Sequence, residues 1–432
     1  LAALAMTALV VGVFLAFFLA QLAVETALSV LNLRHVARAG DAVPAALADR
    51  VDAATARRTR EYTLAKGGFG LVHGFYGAAI TLALLFSGAM PALDAALARH
   101  GVSGAHRFTA FLVALSALPS LANLPFALYG TFVLEARFGF NRTTFALWLK
   151  DQVKALLLSA VIGLPLLYAV YGFFALTGRA WWLWLFAFLT GFQILMVWVY
   201  PTLIAPLFNR FEPLPDGPLR ARLEALARDA GFRTRGLYVM DASKRSGHSN
   251  AYFTGFFRPR IVLFDTLVQE MTVDEAASVL AHEIGHYRAR HVHKRLLIGA
   301  LTMLLSLWIL SLLVAWPPLF EAFGFPGPSL HVAIALASLC GGAFTFFFAP
   351  LESWLSRRHE YEADRFSVAI ARAPDALRSA LVRLNGQNLS NLHPHPWYSA
   401  WYYSHPTLVE RLEAIDEAPS PQPSPRVAGG GS

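Results

Sequence analysis

The sequence predicts a mainly α-helical membrane protein, with seven transmembrane helices and a smaller soluble α+β part. Three observations carry this. Hydrophobic types make up 56% of the 432 residues and charged types only 15%, against roughly 25% charged residues in an ordinary soluble domain. Mean hydropathy is +0.47, which excludes a disordered chain and argues against a purely soluble enzyme. Seven apolar stretches reach the ~20 residues that a helix needs to cross a bilayer. The single cysteine, Cys340, sits in one of them. No internal disulfide is possible, and Cys340 reads as a packing residue.

The spans are placed at 4–32, 68–92, 108–134, 155–177, 181–206, 295–318 and 329–355. The first starts at Leu1 with no basic segment before it and is longer than a cleaved leader's apolar core, so it is read as a retained helix. The missing initiator Met suggests a trimmed start. The net charge is +8, and its placement matters more than its size. Segment 33–67 holds Arg34, Arg38, Arg50, Arg57, Arg58, Arg60 and Lys66, and segment 135–154 holds Arg137, Arg142, Lys150 and Lys154. The opposite loops, 93–107, 178–180 and 319–328, are poor in Lys and Arg. Cytoplasmic loops carry the positive excess. The N-terminus is therefore expected outside and the C-terminus inside, with Trp181 and Trp182 in an outer interfacial belt. Basic residues that flank spans do not form one patch, so nucleic-acid binding is not expected.

The domain plan follows. Residues 1–206 hold five spans and their loops, 207–294 are soluble, 295–355 hold the last two spans, 356–416 are soluble and helical, and 417–432 form a disordered Pro/Ser-rich tail. The part at 207–294 opens with Pro and Gly. An amphipathic helix follows, with Leu219, Leu223, Leu226 and Ala227 on one face. Then come β-prone runs at Leu237–Met240, Ala251–Phe253 and Ile261–Phe264, and a helix from about Val273 with Asp274 and Glu275 in its first turn.

That last helix carries His282-Glu283-Ile284-Gly285-His286. Residues i and i+4 share a helix face, so both imidazoles reach one zinc ion. Glu283 can serve a water at the open position as general base. A catalytic zinc takes three protein ligands. Two crossings by spans six and seven return the chain to the same side at His359-Glu360-Tyr361-Glu362-Ala363-Asp364. Glu360 is expected as the third ligand, with Glu362 as the alternative. Asp364, four residues on, is expected to accept the outer N–H of a ligand histidine. His405 is a donor that could stabilise negative charge developing on the substrate.

These motifs, with Ser356-Arg357-Arg358 before the second, Ser404-His405-Pro406 and Arg411 after it, and Ser249-Asn250-Ala251-Tyr252-Phe253 upstream, resemble the CAAX prenyl proteases. These are the Ste24-type integral membrane zinc metalloproteases of family M48. The similarity runs from the first span to about residue 416. It implies seven helices enclosing a chamber and a cytoplasmic, gluzincin-like α+β metalloprotease domain. It also implies one Zn2+ per chain on His282, His286 and Glu360, with Glu283 as base and His405 and Arg411 near substrate and oxyanion. The implied substrate is a peptide cut near its C-terminus, prenylated in the eukaryotic picture. Asn250, Ala251 and Tyr252 are expected to bind it as an added β-strand.

The compact Ala- and Arg-rich chain points to a bacterial inner membrane, with the active site toward the cytoplasm. Two other readings stay in view: a quality-control protease without prenyl dependence, and a transporter holding a structural zinc. A structural site closes with four protein ligands, and only three are placed, with Glu283 to spare. Among the other histidines, His291 and His293 are expected at a basic, membrane-facing helix end. His359 is expected as a neighbour of the site, and His73 and His331 as span-end residues.

Overall fold

The computed structural model describes residues 2–254 and 259–417. Helix α1 is Ala2–Ala39. Helix α2, Ala53–Phe86, is started by Asp52, whose carboxylate accepts the Thr55 N–H at 2.7 Å. It stops before Gly88, which takes a left-handed φ of 77° and turns the chain into α3, Ala89–Arg99. Helices α4 (Gly104–Ala122), α5 (Phe145–Leu176) and α6 (Trp181–Val199) follow. With two helices further on, seven helical stretches among the described residues are long and apolar enough to cross a membrane.

The number of spans is the one expected, but the boundaries move. The second helix begins at Ala53 rather than 68, because its basic first turns continue the helix beyond the apolar stretch. The third ends at Ala122, and a separate turn, Leu124–Tyr129, follows it. Helix α5 buries no residue. Its Leu156, Leu157 and Val161 are exposed, which suits a helix whose solvent is lipid. Trp181, expected in an interfacial belt, is buried against Phe174. Cys340 is half-buried in an apolar cluster.

The soluble part is a small sheet packed on helices. Its strands are β1 (Phe211–Pro213), β2 (Leu237–Met240), β3 (Ala251–Thr254) and β4 (Arg260–Phe264), in the order β1-β2-β4-β3. β2 and β4 run parallel, and the outer pairs are antiparallel. The three expected runs form strands. β1, short and ending in proline, gave no alternation to read. Helix α7, Pro218–Asp229, buries Leu223, Leu226 and Ala227. Helix α8, Val273–Arg288, is held at its start by a capping box between Thr272 and Glu275. α7, α8 and β4 share one core with Ile261, Leu263, Leu280 and Ile284.

Two residues after α8 the chain enters α9, His291–Leu313. Arg290 between them is left-handed (φ 56°, ψ 33°), so α9 leaves in a new direction. α10 (Leu330–Thr345) and α11 (Ala349–Ala371) return the chain, and α12 (Pro374–Gln387), α13 (Pro396–Tyr402) and α14 (Leu408–Asp416) end the described chain. The expected disordered tail lies outside the described residues from 418 onward. α11 crosses α8 at Gly285, where a Cβ would stand 3.0 Å from Ala363 Cα and 3.1 Å from its carbonyl oxygen. A larger residue would push the helices apart by a few tenths of an ångström, so glycine brings α11 close onto the histidine face of α8. At the far end of the α9–α10 hairpin, Asp94 on α3 accepts two hydrogen bonds from Arg107 (2.7 and 2.6 Å) and sits 2.8 Å from His331 Nε2.

Candidate metal centre

The capping box fixes where α8 begins, and the helix then presents His282 and His286 one turn apart. Their Nε2 atoms are 3.1 Å apart. Glu360 on α11 meets both: Oε2 is 3.3 Å from His282 Nε2, and Oε1 is 3.3 Å from His286 Nε2. These three residues offer ligand atoms that all lie within 4.8 Å of one another. Glu360 is 2% exposed, yet its Oε2 has no hydrogen-bond partner. A buried, unpaired carboxylate oxygen is costly unless something cationic sits beside it. The donor set therefore fits a divalent ion that takes nitrogen and oxygen ligands.

The outer nitrogens are occupied as well. His282 Nδ1 lies 2.8 Å from Asp364 Oδ1, and Arg411 on α14 donates to both Asp364 oxygens at 2.8 and 2.6 Å. Burial opposes a charge on His282. The hydrogen bond to Asp364 and the Glu360 carboxylate beside the ring overcome it and raise the pKa to about 9. Burial holds the Glu283 carboxyl above its usual range. His405 Nε2 is 3.5 Å from Glu360 Oε1, and its Nδ1 is 2.9 Å from Ser404 Oγ.

These groups open on a cavity of about 1030 Å³. Glu25 of α1 and Lys66 of α2 are among the membrane-helix residues that wall it, and Ser249, Asn250 and Ala251 line it from the sheet. Tyr252 does not line it. Side chains alternate along a strand, and its ring packs on the other side, against Phe264 and Met240. Asn388 closes the near end of this edge. Its amide pairs with the backbone of Ser249, accepting from N at 3.2 Å and donating to O at 3.3 Å. Nothing in the sequence singled out Asn388.

The largest correction is His291. It is 1% exposed and does not face the membrane. Its Nδ1 is 2.9 Å from His286 Nδ1, and its Nε2 is 3.0 Å from Glu362 Oε2. Glu362 therefore partners His291 and is not in the three-residue group. His359 stacks flat on His291, with centroids 3.9 Å apart. His331 does begin a span helix, but it is buried with Asp94. His73 sits inside α2, bonded to Asn123.

Residues 32–210 match the family model described as CAAX prenyl protease N-terminal, five membrane helices, and residues 213–419 match that of Peptidase family M48. The chain belongs to peptidase family M48. This M48 peptidase is 38% identical to the CAAX prenyl protease 1 homolog of Arabidopsis thaliana over 375 residues, 83% of this chain and 87% of that one. It is 36% identical to CAAX prenyl protease 1 of Saccharomyces cerevisiae, over 87% of this chain and 88% of that one. The crystal structure of S. mikatae Ste24p superposes with a TM-score of 0.88 at 34% identity, covering 93% of this chain and 98% of that one. The M48 peptidase is thus a multi-pass membrane metalloendopeptidase of the CAAX prenyl protease type, acting on a peptide. The relatives named are eukaryotic.

Proposed function

We propose that this peptidase is a zinc enzyme that hydrolyses a peptide bond near the C-terminus of a prenylated chain. His282, His286 and Glu360 would hold the ion, and Glu283 would act as general base. The observation that carries the reading is the convergence of three candidate ligand residues, one of them a buried carboxylate with an oxygen that has no hydrogen-bond partner, beside Glu283 in a cavity. Bound there, Zn2+ supplies a Lewis acid and acidifies a water toward neutrality. Glu283 takes the proton from the attacking water and delivers it to the leaving amine. His405, 62% exposed at the side chain and facing the cavity, donates to the charge developing on the scissile carbonyl oxygen. Arg411 keeps Asp364 ionised, and Asp364 holds the tautomer of His282.

The substrate lies along β3. This strand ends the sheet, and the Asn250 carbonyl already accepts from Phe264 N at 3.0 Å. Antiparallel pairing alternates, so Ala251 and Phe253 turn their N–H and C=O groups away from β4, the Ala251 N–H donating to Asn250 Oδ1 at 2.8 Å. A peptide can pair with them as a fifth strand. Asn250 and Ala251 then serve through position and backbone. The charge pattern of the loops supports a cytoplasmic metal centre, which labelling of single cysteines in segments 33–67 and 319–328 from either side would check.

The deciding experiment combines metal analysis with peptide cleavage followed by mass spectrometry. The parent protein is expected to hold one zinc per chain and to cut a prenylated peptide. Glu283→Gln is expected to keep the zinc and lose about 10²–10⁴-fold in rate. Full activity in that variant would reject the mechanism. Equal cleavage of the unprenylated peptide would favour a quality-control protease, since strand pairing by itself reads no side chain.

A further inference from the structure

We propose that His291 is a positioning residue for the metal ligand His286, held in place by Glu362. The proposal rests on the metal reading above. His286 turns Nε2 toward His282 and Glu360, which leaves Nδ1 as its outer nitrogen. A ligand imidazole that coordinates through Nε2 carries its proton on Nδ1. That proton is donated to His291 Nδ1 at 2.9 Å. His291 then accepts at Nδ1 and carries its own proton on Nε2, which it donates to Glu362 Oε2 at 3.0 Å. One carboxylate thus fixes two tautomers in line. The ring of His291 is closed from solvent and lies flat on His359, so its plane is fixed as well as its hydrogen bonds.

The backbone explains why the pairing exists. In an unbroken helix, residue 291 would point about 140° away from residue 286 at 3.6 residues per turn. The left-handed Arg290 ends α8 and starts α9, and this break folds His291 back against His286. The two ligand rings therefore have unlike supports. His282 leans on a carboxylate directly, and His286 leans on one through a second imidazole.

The test uses the full-length protein in detergent, stripped of metal and titrated with Co2+ against a competing chelator, with the visible Co2+ absorption recorded. His291→Phe keeps a flat ring on His359 and removes both hydrogen bonds. It is expected to weaken Co2+ binding by about 10–100-fold and to shift the absorption band. His291→Gln offers an oxygen to His286 and an NH2 to Glu362, and is expected to recover most of the loss. Glu362→Gln keeps an acceptor without the charge. It is expected to weaken binding less than His291→Phe does, and it carries the test if the Phe variant fails to fold. Parental affinity and spectrum in both His291→Phe and Glu362→Gln would overturn the proposal, as would a His291→Gln variant no better than His291→Phe. A parent protein that binds no Co2+ would overturn the metal reading itself, a result distinct from either of these.

Discussion

The same trio of side chains occurs twice, at opposite ends of the α9–α10 hairpin. Asp364 holds Arg411 with two hydrogen bonds and a histidine, His282, at 2.8 Å. Asp94 holds Arg107 with two hydrogen bonds and a histidine, His331, at 2.8 Å. Both aspartates are buried. The difference lies beyond the trio. His282 aims its second nitrogen at His286 and at the carboxylate of Glu360. His331 packs edge-on against Phe111 and joins no metal-ligand group among the described residues. A buried Asp–Arg–His cluster is thus a way of fixing a ring. What the ring then faces decides whether the result is chemistry or a clip between helices.

The sharpest way to break this comparison is to remove what each ring faces. Glu360→Ala is expected to abolish zinc binding by elemental analysis, since only two protein ligands remain, whereas His331→Ala is expected to keep full occupancy. Next in size, Asp364→Asn is expected to cost about 10–100-fold in metal affinity by chelator competition. Asp94→Asn should leave that affinity unchanged and destabilise the fold by about 3 kcal/mol, read as a lower melting temperature in detergent. This is the low end for breaking a buried pair, because Arg107 keeps 30% side-chain exposure. An Asp94 variant with altered metal affinity would erase the distinction.

Gly285→Ala acts on the crossing that joins the metal-centre halves. Overpacking there is expected to cost about 1–3 kcal/mol and to lower zinc occupancy by moving Glu360 off the imidazoles. Loss of stability with occupancy intact would show that α8 and α11 shift together. The smallest effect is expected at the joint. Arg290→Gly suits the left-handed backbone and should change stability by no more than about 1 kcal/mol, with metal affinity retained.

The metal end was far more legible in the sequence than the other. His282, Glu283 and His286 announce themselves by helical spacing, and the return of Glu360 follows from counting two crossings. The burial of His291 beside His286 is not legible, because it depends on one backbone angle at Arg290 and the neighbouring basic residues read as a helix end. Composition marks the strand that holds Tyr252 but not the face its ring takes, which is away from the cavity. The Asp94 trio was invisible, since its members lie on three helices and no spacing rule links residue 94 to residue 331. Span number was readable from apolar run length. Span ends were not, because polar turns extend a helix with no loss of hydrogen bonding.

One further consequence comes from the order in which the chain is made. The two imidazoles emerge from the ribosome first, and Glu360 follows 74 residues after His286, with α9 and α10 in between. The carboxylate can reach the rings only once that hairpin has threaded the lipid and come back. A nascent chain stalled before insertion carries His282, Glu283 and His286 but not Glu360. The three-residue group can therefore be complete only after α9 and α10 have been made and have brought the chain back.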